Sequence, residues 1–148
     1  MPVTTNTKTE LYAVSNLSDA ISKSVSSVPE CLAAGVVDVA SGLLLDIKTV
    51  DSHPSMVIDM LAAATSDWFQ GPNVLAIEEM FKKSRGIETN NVRYFEEIIV
   101  NSKNLLHVFI RARINQDYVV CFVCRRTVNL GMALTKARGA MPEIEASI

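Results

Sequence analysis

One stretch constrains the fold more than any other: Pro54 to Gly86, above all its first half, Met56 to Phe69. At ~3.6 residues per turn, Val57, Leu61, Ala64 and Trp68 form one apolar row, Ile58, Ala62 and Phe69 a second, and Met56, Met60 and Ala63 a third. Only Ser55, Asp59, Ser66 and Gln70 are left for water. A helix this apolar needs cover on two sides, one from its own sheet and one from something else, and a partner protein meets that need. Asp51 or Ser52 is the expected cap, with Pro54 in the first turn, where its missing N–H would be unpaired anyway. Gly71-Pro72 interrupts the pattern; a proline inside a helix removes a hydrogen bond at a cost of ~3 kcal/mol, so a kink or break is expected. Beyond it, Val74, Ile77 and Phe81 resume an apolar row opposite Glu78, Glu79, Lys82, Lys83 and Arg85, with Glu78–Lys82 and Glu79–Lys83 as i,i+4 pairs. That half reads as an ordinary solvated helix, ended by Gly86.

The remaining elements follow from periodicity and turn residues. Residues Met1 to Thr9 offer little to bury and read as a disordered tail, ahead of a domain over 10–142 and a short C-terminal tail over 143–148. Leu11, Val14, Leu17, Ile21, Val25 and Val28 recur at helical steps and stop at Pro29, although Asn16 with Asp19 allows a later start. Cys31–Val39 and Leu43–Ile47 read as a hairpin turned at Gly42. Three more strands are expected at Val92–Val100, Leu105–Ile114 and Tyr118–Arg125, joined by short polar loops that only antiparallel neighbours allow. The last of these is apolar on both faces and belongs in the middle of the sheet, whereas Arg93, Tyr94, Phe95, Glu96 and Glu97 mix charge with aromatics as an edge strand does. A final helix starts at the cap Asn129 and runs to Gly139 and Pro142. The order is α-β-β-α-β-β-β-α, an α/β (α+β) domain with a five-stranded, mainly antiparallel sheet and helices on both faces.

Nothing in the chain assembles a catalytic centre. Cys121 and Cys124 have the C-x-x-C spacing of redox and zinc sites, but on a strand residues three apart point to opposite faces, so they read as buried apolar residues. Asp38 and Asp46 read as charged strand ends, and His53 and His107 as structural, because no acid, base and nucleophile converge. The six glycines form no phosphate-binding loop. Catalytic, metal and cofactor residues are therefore assigned to none.

Length and charge bound the rest. The 148 residues fit one domain, and 49% apolar with 20% charged residues is the balance of a globular protein. Three bases and ten acids give residues 1–80 a net −7, while eleven bases and six acids give residues 81–148 a net +5, leaving −2 overall. Within one core this reads as internal charge balance. Arg111, Arg113, Arg125 and Arg126 lie at strand ends and make no basic run for nucleic acid. No apolar stretch reaches the ~20 residues of a membrane span, no signal segment precedes the domain, and the expected location is cytoplasmic. What remains is surface: Met56, Met60, Ala63 and Trp68 on the helix, and Arg93, Phe95, Glu97 and Ile99 on an edge strand able to pair with its own copy across a two-fold axis, Arg93 of one chain answering Glu96 and Glu97 of the other.

Three local features resemble the roadblock/dynein light-chain family, in its bacterial and archaeal form. They are Gly35-Val36-Val37-Asp38 leading into Ser41-Gly42-Leu43-Leu44, Glu96 to Val100 followed by Leu105 to Ile110, and Asn129-Leu130-Gly131. The resemblance covers roughly residues 15 to 140. Ser41 stands where the family commonly has an acid, and Gly71-Pro72 breaks a helix that is usually continuous. The resemblance implies a non-enzymatic homodimer in which third strands pair and long helices lie side by side, forming a platform for a Ras-like small GTPase. The rival expectation is a small-ligand sensor of PAS or profilin-like type, with a pocket between sheet and long helix.

Overall fold

Alternating apolar residues in five strands build one antiparallel sheet in the order β2-β1-β5-β4-β3, with β1 at Cys31–Asp38, β2 at Leu43–Thr49, β3 at Glu97–Asn101, β4 at Leu105–Arg111 and β5 at Tyr118–Arg125. The computed structural model describes residues 16–51, 55–88 and 91–148, and of Ser55 and Met56 the backbone alone. The N-terminal tail, the expected helical positions Leu11 and Val14, the cap Ser52 and the His53-Pro54 helix start lie outside the described residues. As its two-sided apolarity predicts, β5 is central, and β3 forms one edge. The hairpin closes through Gly42, at φ +76°.

Each face of the sheet carries its own core. Ala34, Val36, Leu106, Val108, Ile110, Val120 and Phe122 pack under helix α1 (16–27) and helix α4 (Leu130–Ala146), which contribute Ala20, Ile21, Ala133, Ala137 and Ile144. On the opposite face Val37, Val39, Phe109 and Val119 pack under helix α2 (Ser55–Gln70) through Ala62 and Phe69. Helix α3 (Pro72–Ser84) follows at once. The break falls at Gly71, which is extended at φ −62° and ψ 158°; a Cβ there would stand 2.5 Å from the Asp67 carbonyl oxygen, so no larger residue fits. Gly86, at φ +67°, stops α3 with the Ile87 N–H returning to Lys82 O at 2.8 Å.

Four expectations need correction, and they share a cause. Helix α3 does not keep all its charges in water: Lys83 and Arg85 are exposed, but Glu78 and Lys82 are buried, while Ile77, Met80 and Phe81 are exposed. Glu78 is 1% exposed because its carboxylate accepts the Tyr94 N–H at 2.9 Å and the Phe95 N–H at 3.4 Å, and pairs with the Arg93 guanidinium at 3.4 Å. Lys82 Nζ donates to Val92 O. Residues 92–96 are consequently not strand. Side chains take their backbone amides, the Arg93 N–H going to Gln116 Oε1 at 2.9 Å, and β3 starts only at Glu97. Strand β4 ends at Arg111 instead of Ile114, since Glu145 Oε1 accepts the N–H groups of Arg113 and Ile114. That acceptor exists because α4 passes through Pro142 to Ala146: Met141 and Ile144 are buried on the sheet side while Pro142 faces out, so residues 143–146 are helix and not tail.

Arg111 closes β4, at a strand end as expected, but its side chain is buried at the centre of this arrangement. Its Nε donates to Phe95 O at 2.9 Å, Nη1 to Gln116 O at 2.6 Å and Gln70 Oε1 at 3.1 Å, and Nη2 to Phe69 O at 3.3 Å, with the guanidinium 5.1 Å above the Phe69 ring. It thus fastens the C-terminal end of α2, where carbonyls lack helical partners, to β4 and to the 91–96 segment. Glu78→Ala removes the acceptor for two amides and leaves Arg93 without its carboxylate; a loss of about 3 kcal/mol in urea unfolding is expected, and a smaller one for Glu78→Gln, which keeps an acceptor oxygen.

Candidate functional site

The face of α2 turned to the sheet is narrow. Ala62, Thr65 and Phe69 are buried along one row, and Thr65 returns its hydroxyl to Leu61 O. Val57, Met60, Leu61 and Trp68 remain outside, Met60 at 67% and Leu61 at 51% exposure, and Ala63 is exposed as well. Among the described residues, nothing covers the second apolar side of this helix. The Met56 side chain lies outside the described residues. Trp68 marks where the helix flank reaches the far strands: its ring meets Phe109 edge-on at 5.4 Å, and Phe109 stands beside Ile98 of β3.

Among the described residues, strand β3 has β4 as its one strand partner, and the ladder fixes which groups are left over. Arg111 N–H bonds Glu96 O and Ser102 N–H bonds Leu105 O, so even-numbered residues bond β4, while Glu97, Ile99 and Asn101 turn their N–H and C=O groups to the outer edge. Their side chains point to the α4 side of the sheet, Glu97 beside Ile110 and Ile99 beside Val108. The sequence-derived interface residues therefore divide. Met60, Ala63 and Trp68 sit on the α2 side, Glu97 and Ile99 on the α4 side, and Arg93 and Phe95 in the irregular segment between α3 and β3. The charges on this edge are already engaged within the chain: Glu97 takes a bidentate pair from Arg138 at 2.9 and 2.7 Å, which holds its carboxyl below the usual range, and Arg93 goes to Glu78. Neither has to be answered by a second copy.

A third apolar area was hidden in the sequence by the expected orientation of α3. Phe81 packs against Tyr94 with ring centroids 5.7 Å apart, beside exposed Ile77 and Met80. A groove of about 670 Å³ lies on the opposite side of the sheet, between the second half of α4 and β3–β4, lined by Arg113, Glu96, Glu97, Arg138 and Glu145 among others. Between the sheet and α2, where a sensor pocket was expected, Phe69, Ala62 and Phe109 fill the space. The two candidate carboxylates serve the backbone, Asp38 accepting the Ala40 N–H and Asp46 the Ile47 N–H. Among the described residues no group of three or more His, Cys, Asp or Glu side chains is placed to hold a metal ion, and no helix is long and apolar enough to cross a membrane.

No protein-family model matches the chain, and no curated protein matches it in sequence. Solved structures do match. The gliding protein mglB from Thermus thermophilus superposes with a TM-score of 0.67 at 16% identity, covering 91% of this chain and 90% of that one. An MglB with a tetrameric arrangement gives 0.65 at 14% identity over 89% and 90%. A Roadblock/LC7 domain from Streptomyces avermitilis gives 0.58 at 14% identity over 86% and 92%. The chain has the roadblock/LC7 fold.

A histidine also stands on the α2 side of the sheet. His107, on the α2 side of β4, stacks on Phe109 at 6.1 Å, and its Nδ1 is buried without a hydrogen-bond partner. Burial holds its pKa below the ordinary 6.5, only partly offset by a backbone hydrogen bond at Val100. Because the folded state resists the proton more than the unfolded chain does, the stabilisation is complete above about pH 6.5 and is lost as pH falls toward the depressed folded value. Thermal midpoints are expected to hold between pH 8 and 7 and to drop between pH 6.5 and 5, with a flatter curve for His107→Asn.

Proposed function

From a roadblock/LC7 fold with an uncovered α2, we propose that the protein is a non-enzymatic, homodimeric adaptor or regulator that binds a Ras-like small GTPase on a platform formed by the dimer. The observation that carries this reading is the exposed second apolar side of α2, Met60, Leu61 and Trp68, beside a sheet edge whose outer N–H and C=O groups have no strand partner among the described residues. Apolar side chains of this size gain roughly 1.5–3 kcal/mol each on full burial, a gain the monomer leaves unused. Two β3 strands meeting around Ile99 would set Glu97 of one copy opposite Asn101 of the other and continue the antiparallel sheet across a two-fold axis. The Trp68 end of α2 lies near enough to that edge for the same contact to shelter it. The intramolecular ion pairs of Glu97 with Arg138 and of Arg93 with Glu78 support the arrangement, since neither charge is then left to be answered across the contact.

The reading is tested by mass in solution. At micromolar concentration light scattering should give twice the 16.2 kDa chain. Ile99→Pro should yield a folded monomer, because the amide it removes points away from β4, and proline is tolerated where a strand's N–H side is free. Met60→Asp should weaken the dimer at least tenfold by placing a carboxylate in an apolar contact. A monomeric wild-type protein would overturn the proposal, as would both variants remaining dimeric. Pull-downs in the presence of GTP analogue or GDP should retain a Ras-like GTPase on the dimer and lose it with the monomeric variants.

A further inference from the structure

Strands β1 and β5 place two thiols opposite each other. The Cα partners run Asp38↔Tyr118 up to Ala33↔Val123, after which a β-bulge advances β1 by two residues for one on β5 and sets Cys31 against Cys124. In unbroken alternation Cys31 would share a face with Ala33 and Gly35. The bulge re-aims it to the α1–α4 side, where Cys31 and Cys124 are both buried in one cluster. Glu30, at φ +51°, turns the chain just before it, and the Arg125 N–H bonds Glu30 O at 3.0 Å. That bond flanks the cysteine pair and makes it a non-hydrogen-bonded pair, the kind whose Cα atoms stand ~4.5 Å apart with side chains close. A disulfide spans Cα separations of ~4.4–6.8 Å, so the backbone need not move far.

The two sulfurs also differ in the way a redox couple requires. Cys31 Sγ donates to Ala33 O at 3.2 Å, and the mutual influence of the neighbouring thiols holds Cys31 below its ordinary range and pushes Cys124 up. Cys31 retains 8% exposure and Cys124 none, so the residue with the more acidic thiol is also the less deeply buried of the pair. All three cysteines are free thiols. Cys121 lies on the other face, its thiol pushed up to about 12 by burial, and serves as an internal control.

We propose that Cys31 and Cys124 are a reversible redox pair, converted by small peroxides into a cross-strand disulfide that joins β1 to β5. In the first step the Cys31 sulfur attacks one oxygen of hydrogen peroxide; the O–O bond breaks, the sulfur becomes a sulfenic acid, and one water leaves. In the second the Cys124 sulfur attacks the Cys31 sulfenic sulfur, its proton departs with the hydroxyl as a second water, and the S–S bond forms. Two thiols are oxidised by two electrons as one peroxide is reduced to two waters, and a dithiol reductant reverses the change.

The experiment is peroxide treatment of the full chain followed by denaturing alkylation and peptide mapping. One of three thiols should remain open to alkylation, the intact mass should fall by two hydrogens, and the linked peptide should join Cys31 to Cys124. Dithiothreitol should restore all three thiols. The oxidised protein should melt about 5 °C or more above the reduced one, because the link constrains the unfolded chain over most of its length. Cys121→Ser should keep the link and Cys31→Ala should abolish it. Failure of either variant to fold leaves the wild-type peptide map to decide. Oxidation that stops at a sulfinic acid on Cys31, a link involving Cys121, a link between chains, or three thiols still open after peroxide would each overturn the proposal.

Discussion

The buried guanidinium of Arg111 is the constraint on which the candidate surface depends. A buried arginine under a helix end needs acceptors for its donors, and here four come from different places in the chain: the end of α2, its Gln70 side chain, the segment before β3 and the β4–β5 loop. Each satisfied bond fixes one element relative to another. Its neighbour Glu78 does the same for α3, taking the Tyr94 amide, which a longer ladder would turn to β4, and the Phe95 amide beside it. With these two groups in place, α2 lies where its second apolar side is uncovered and β3 is shortened to five residues at the sheet edge.

This polar core also explains why α3 is turned around. Burying a carboxylate and an ammonium group is costly in general, yet the irregular 91–96 segment presents backbone groups and Arg93 that a charged helix face can answer and an apolar face cannot. The apolar residues Ile77, Met80 and Phe81 are displaced outward as a consequence, and the exposed apolar area extends past the Gly71 break instead of ending there. The break itself comes from covalent geometry, since Gly71 leaves no room for a side chain and Pro72 has no N–H to give.

Features governed by local chemistry were legible in the sequence. The Gly71-Pro72 interruption, the Gly86 stop, the Asn129 cap, whose side chain accepts the Met132 N–H, the Gly42 turn and the central position of β5 all follow from residues acting on their own neighbourhoods. So did the divergence of Cys121 and Cys124. What stayed hidden was set by contacts between distant segments. Periodicity assigns charges to water by default, so it could not orient α3; strand propensity at 92–96 was overridden by Gln116 and Glu78; Pro142 read as a stop because the burial of Met141 and Ile144 beneath it is tertiary. The Cys31–Cys124 pairing depends on register and a bulge, which spacing along the chain does not encode. For the candidate surface, the apolar excess of α2 was visible, whereas the separation of its residues between two sides of the sheet was not.

The edge strand has a further property in its mode of attachment. With one ladder where inner strands have two, β3 is held as much by side-chain ties as by backbone bonds: Glu97 to Arg138 on α4, and, just upstream, Arg93 to Glu78 on α3. Those ties make the strand, the middle of α4 and the outer helix one unit for local opening, in the sense that hydrogen exchange resolves such units. A contact along the edge would then slow amide exchange not only in β3 but in both helices bound to it, spreading its effect to the two opposite faces of the sheet.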